Sequence, residues 1–165
     1  MPESVDELTS LLDLEEIEVG LFRAQQPRTS LQRVFGGQVL AQALTAAVRT
    51  VPAERTVHSL HGYFLVAGRP DLPIVYAVEL VRDGGSFSSR RVVARQGGRV
   101  IFYLSASFHI QEEGFEHADL APETPGPEES PRISDVNPKP DETSPLGKTA
   151  RSVATDVCDF SWLTL

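Results

Sequence analysis

Residues 33–48 read Arg33-Val34-Phe35-Gly36-Gly37-Gln38-Val39-Leu40-Ala41-Gln42-Ala43-Leu44-Thr45-Ala46-Ala47-Val48. An aromatic residue and two glycines open a helix, predicted over 37–50, that is apolar almost all the way round. Its polar residues are Gln38, Gln42 and Thr45, and steps of four and three place them with Arg49 on one narrow stripe. Such a helix has to be enclosed by other structure, with the stripe either a satisfied polar seam or the lining of a site.

Downstream the apolar period changes from helical to two. Strands are predicted over 55–66, 74–82, 86–95 and 99–109. Ile74, Tyr76, Val78 and Leu80 share one face of the second, and Val100, Phe102, Leu104, Ala106 and Phe108 one face of the fourth. Asp83-Gly84-Gly85 and Gln96-Gly97-Gly98 are turn signals between them. Upstream, residues 4–14 read as a short helix capped by Ser4, with Leu8, Leu11 and Leu12 on its apolar face. Gly20 to Arg23 reads as a brief strand and Pro27 to Ser30 as a turn. One long helix followed by an antiparallel meander is an α+β domain with the helix lying on the sheet.

The 165 residues suit one domain plus a tail, and an apolar share of 41% suits a soluble protein. No apolar run approaches a membrane span, and no charged-then-apolar leader precedes the domain, so a cytoplasmic protein without a membrane partner is expected. The single cysteine, Cys158, excludes an internal disulfide and a Cys-rich zinc site and reads as a free thiol. Charge is segregated: residues 1–19 hold seven acids and no base, whereas residues 20–110 hold eleven arginines against Glu54, Asp71, Glu79 and Asp83. Arginine suits a partner carrying phosphates, although arginines spread over a sheet more often face solvent or pair with acids. Their dispersion, without interleaved aromatics, argues against nucleic acid. Seven of the twelve prolines fall between 122 and 145, where apolar periodicity ends. That break predicts a domain over 1–117 and a Pro-rich, acidic, disordered linker and tail over 118–165.

Gly84-Gly85-Ser86-Phe87-Ser88 lacks the final glycine of a nucleophile elbow and reads as a hairpin. No phosphate-binding Gly-Lys-Ser/Thr loop and no dinucleotide fingerprint occurs. His58 and His61, three apart on a strand, fall on opposite faces and cannot ligate one metal without a bulge. Either could be a general base or a hydrogen-bonding group lining a pocket, or a satisfied core histidine. Gly36 and Gly37 permit a ligand to approach backbone N–H groups where the helix dipole favours negative charge, as a thioester carbonyl becoming an oxyanion would require. Gly36, Gly37, Gln38 and His58 are therefore the candidate substrate-binding residues.

Several blocks in register resemble the acyl-CoA thioesterase II (TesB-like) family. They are Leu11 to Ile17, Gly20 to Arg23, Val34 to Val39, Val57 to Leu65, Arg82 to Arg91 and Ile101 to Phe108, within about residues 8–117. The resemblance implies a hotdog fold, an antiparallel sheet wrapped round the long helix. It also implies hydrolysis of acyl-CoA to fatty acid and CoA by a water held by polar side chains, with no metal or organic cofactor. Family members carry two hotdog halves, and only the first is resembled here. The family's catalytic Asp, Thr or Ser, and Gln belong to the second half, so none maps onto this chain. The block Phe35 to Leu44 holds no acid, and Gln cannot serve as a general base. The tail beyond about 125 no longer resembles the family, as a truncated or misread gene would give. Three readings follow. The first is a thioesterase half whose site is completed by a second half. The second is a non-catalytic hotdog module binding acyl-CoA or a partner subunit. Last comes a hotdog hydratase, which needs an acid–His pair that the helix lacks. An isolated half would expose its partner face, so a homo-oligomer or a second hotdog subunit is expected.

Overall fold

A computed structural model describes residues 5–25, 32–126 and 128–130. Ser4, the turn at 27–30 and Cys158 lie outside the described residues. Contacts divide the chain into a unit of residues 8–113 and a second unit formed by the two ends. In the second, residues 114–126 carry neither helix nor strand.

Two helices and six strands run in the order α1 (Val5–Leu12), β1 (Glu15–Glu18), β2 (Leu21–Ala24), α2 (Gly36–Val48), β3 (Arg55–Phe64), β4 (Ile74–Asp83), β5 (Phe87–Gln96) and β6 (Arg99–Ile110). The strands form one sheet in the order β1-β2-β4-β5-β6-β3, every neighbouring pair antiparallel. Alternation decides the faces. Val92, Ala94, Phe102, Leu104, Ala106 and Phe108 point inward and are buried with Val39, Ala43, Ala46 and Ala47 of α2. A run of alanines lets the helix settle close to the sheet, where larger residues would hold it off. This is the α+β, helix-wrapping hotdog arrangement that the sequence predicts.

The differences have local causes. β1 was not predicted, because Glu15-Glu16-Ile17-Glu18 is exposed throughout and shows no alternation. It exists because Gly20, at φ +75°, turns the chain back onto β2. Arg23 then clamps Glu15 through two hydrogen bonds of 2.8 Å. β3 stops at Phe64 instead of Val66: the N–H groups of Leu65 and Val66 both donate to Ile101 O, which ends the ladder and starts a loop. α2 ends at Val48, and Thr50 closes its last turn with N–H and hydroxyl both on Ala47 O.

The histidine expectation is corrected by a bulge. β3 is irregular between Val57 and Ser59, and the extra residue is His58. The slip puts His58 on the outer face of the sheet, bonded to Ser107, while His61 pairs with Ser105 on that same face.

Candidate functional site

The helix stripe divides into a seam and an open end. Gln42 is fully buried; its Nε2 donates to Leu11 O at 2.7 Å and its Oε1 accepts from Tyr76 Oη at 2.8 Å. Burial pushes the Tyr76 phenol far above its ordinary range, so it stays a neutral donor. Arg49 reaches Leu14 O and Asp13. Gln42 and Arg49 thus tie the segment that follows α1 to α2, and at those positions the stripe is a structural seam. One turn earlier, Gln38 keeps a buried Nε2 that has no hydrogen-bond partner among the described residues.

Gly36 and Gly37 form the first turn of α2. Phe35 precedes them in extended backbone and provides no side-chain cap. The N–H groups of Gln38 and Val39 both return to Phe35 O, at 3.1 and 3.3 Å. Those of Gly36 and Gly37 find no acceptor among the described residues, as first-turn donors of a helix without a side-chain cap. A Cβ at Gly36 would sit 3.2 Å from the Phe64 ring, and one at Gly37 would sit 2.5 Å from the Phe35 ring. Both rings are about half exposed, so these glycines keep the helix start clear while the neighbouring side chains remain free to move.

Beside this turn is a cavity of about 200 Å³. Val34, Gly36 and Val39 line one side, residues 64–68 another, and Ile101 and Phe102 the floor. No polar or charged side chain lines it. The sequence reading missed these apolar positions, although Leu65-Val66-Ala67-Gly68, running on past the strand, was a usable signal.

His58 is not brought to this place. It sits near the start of β3, six residues and roughly 20 Å along the strand from Phe64. Its Nε2 is 2.8 Å from Ser107 Oγ, and its ring meets Phe87 and His109 edge-on. His109 in turn reaches Glu112 at 3.2 Å. The structure therefore groups Gly36, Gly37 and Gln38 at one end of the domain and leaves His58 at the other.

That other end carries a polar cluster which sequence reasoning also missed. Arg90, 1% exposed, donates to Thr50 Oγ1, Thr50 O, Arg82 O, Ser89 O and Asp83 Oδ1. Ser88 donates to the same carboxylate oxygen, and Arg55 bonds Ser88 and the carbonyls of Gly84 and Gly85. Hydrogen bonds from Ser88 and Arg90 hold the Asp83 carboxyl below the usual range. The cluster fastens the β4–β5 hairpin to the C-terminal end of α2. Arg23, Arg49, Arg69 and Arg91 likewise pair with acids, as dispersed arginines are expected to. Arg33, Arg95 and Arg99 form no ion pair among the described residues; Arg33 adjoins Val34 at the cavity, and the other two flank the β5–β6 turn. Among the described residues no cluster of His, Cys, Asp and Glu could hold a metal ion.

Residues 25–109 match the family model of the acyl-CoA thioesterase N-terminal domain. The chain belongs to this family. This thioesterase N-terminal domain is 42% identical over 129 residues to acyl-CoA thioesterase 2 of Haemophilus influenzae, covering 78% of this chain and 45% of that protein. It is 45% identical over 123 residues to human acyl-coenzyme A thioesterase 8, covering 74% of this chain and 39% of the relative. Among solved structures it is similar to acyl-CoA thioesterase II TesB2 of Mycobacterium marinum, with TM-score 0.69 and 47% identity, covering 78% of this chain and 48% of that one. The chain thus spans less than half the length of these relatives.

Proposed function

We propose that this chain is the first half of a fatty acyl-CoA hydrolase that releases free fatty acid and CoA, with the general base supplied by a second hotdog half. The observation that carries the reading is the α2 start: two N–H groups, on adjacent glycines, without acceptors among the described residues, beside a cavity lined by apolar side chains. Water adds to the thioester carbonyl, and the oxygen that gains charge lies against the Gly36 and Gly37 N–H groups at the positive end of the helix dipole. Gln38, whose Nε2 has no partner among the described residues, orients the substrate or the water. Collapse of the adduct expels the CoA thiolate, which takes up the proton released by water. Helix residues 36–48 contain no acid and no histidine, so the proton acceptor has to come from elsewhere. No organic cofactor or metal enters this reaction.

The partner surface is β3, the last strand of the sheet, whose outer edge pairs with no other strand among the described residues. Val57, Leu60 and Tyr63 along it are 37–51% exposed. A second hotdog half, or failing that a second copy of this chain, adds to that edge, which places His58 near the junction. No helix among the described residues is long and apolar enough to cross a membrane. A cytoplasmic protein acting on acyl-CoA, with neither nucleic acid nor membrane as partner, is part of the proposal. The missing base also favours a second reading, a module that binds acyl-CoA or a partner half without turnover.

Thiol release from octanoyl- and hexadecanoyl-CoA decides between them. The purified chain is expected to release little thiol alone and to gain turnover when a second half bearing Asp, Thr or Ser, and Gln is supplied. Turnover by the chain alone that disappears in Gln38→Ala or His58→Ala would instead place a complete site in this half. Binding with no turnover under either condition selects the binding module.

A further inference from the structure

We propose that the cavity beside the start of α2 measures the substrate: it receives the far end of the acyl chain, and Phe64 and Val66 at its mouth set how many carbons enter. The proposal rests on the acyl-CoA reading above and adds the residues that choose among substrates.

The first argument is chemical. Every lining side chain is apolar and only backbone supplies polar atoms, so a carboxylate or a phosphate placed there would find no charged partner for the hydration it loses, whereas a methylene chain needs none. The second is mechanical, because the walls are held open by backbone. Val34 N–H donates to Gly68 O at 2.9 Å, and Leu65 and Val66 both donate to Ile101 O. Behind the loop, the nearly buried Gln96 accepts from Arg69 N–H and donates to Arg69 O and Leu72 O, at 2.7–2.8 Å. A space framed in this way is preformed, as small-molecule sites are.

The third argument is size. An apolar cavity of about 150 Å³ takes benzene, six carbons, so about 200 Å³ corresponds to about eight carbons of acyl chain. The mouth is adjustable: Phe64 and Val66 are 57% and 38% exposed, while the floor residues Ile101 and Phe102 are buried. Gly36 leaves the Phe64 ring its position, since a Cβ there would stand 3.2 Å from it. The position is also right for the reaction, because Gly36 is shared by the cavity wall and by the open N–H pair. A chain tail in the cavity therefore leaves its thioester near the helix start.

The test is calorimetric titration of the full chain with butanoyl-, octanoyl-, dodecanoyl- and hexadecanoyl-CoA, with thiol release followed in parallel. Affinity is expected to rise about fourfold per added methylene up to about eight carbons and then to level off. Val66→Trp, which fills the mouth, moves the plateau to shorter chains, and Phe64→Ala moves it to longer ones. Plateaus that stay in place in both variants, or a loss equal at every length, overturn the proposal while leaving acyl-CoA binding itself intact. Absence of binding by the unaltered chain to any of the four overturns the proposal together with the reading on which it rests.

Discussion

The two ends of α2 lie under one sheet and are built by opposite rules. At the C-terminal end, Thr50, Arg55, Asp83, Ser88 and Arg90 share hydrogen bonds until the buried Arg90 guanidinium is saturated, and only Arg55 Nε lacks a partner among the described residues. At the N-terminal end the helix has no side-chain cap, the Gly36 and Gly37 N–H groups and Gln38 Nε2 have no partner among the described residues, and a cavity adjoins the turn. Each end leaves one buried side-chain nitrogen without a partner among the described residues, Gln38 Nε2 and Arg55 Nε, but only the N-terminal one lies one turn from a cavity. The C-terminal end fastens the hairpin to the helix, and the N-terminal end is where the proposed chemistry would sit.

The largest effect should come from breaking the closed end. Arg90→Met removes five hydrogen bonds and strands the Thr50 and Arg82 carbonyls that it served. The expected loss is about 3 kcal/mol, from the acceptors left unpaired around the buried Arg90 position and not from the half-exposed Asp83. Urea unfolding measures it, and an unchanged midpoint would deny that this end is the fastening.

A smaller loss, about 2 kcal/mol, is expected for Gln42→Leu, which leaves the buried Tyr76 hydroxyl and Leu11 carbonyl without partners. Acid should then loosen the closed end. The folded Asp83 pKa is depressed, so its contribution is full above the ordinary carboxylate pKa of about 4 and is lost as pH falls through the folded value. Thermal melts between about pH 5 and pH 2 should show a steeper fall for the unaltered chain than for Asp83→Asn. Parallel curves would remove Asp83 from the account. The smallest change is reserved for the open end: Gln38→Leu replaces an unsatisfied amide and should alter stability by less than about 0.5 kcal/mol, in either direction. If Gln38→Leu cost as much as Gln42→Leu, the contrast between the two ends would collapse.

Much of the fold could be read directly from the residues. Two glycines before an alanine-rich run mark α2, and period-two apolar residues mark β3 to β6, because both signals are local. β1 could not be read, since four exposed residues acquire strand geometry only from the turn at Gly20. The bulge at His58 was equally silent, because inserting one residue into a ladder leaves no compositional trace. The candidate site was half legible. Gly36 and Gly37 announce themselves, but Gln38 and Gln42 are chemically identical, and only the partners across the fold make one a strut and leave the other bare. Arg90 looks like a surface residue among Ser88, Ser89 and Arg91; its burial is decided by Thr50, forty positions earlier.

The bulge in β3 also gives the edge a grammar. A straight, unbroken border of N–H and C=O groups can be extended at any offset, and by any strand, which is how sheets grow into fibres. A border interrupted at His58 has a landmark near one end, where its twist and spacing change. An arriving strand that slides by two residues meets that landmark in the wrong place. A strand added to this edge, as proposed above, would therefore be held to one frame by the position of the bulge.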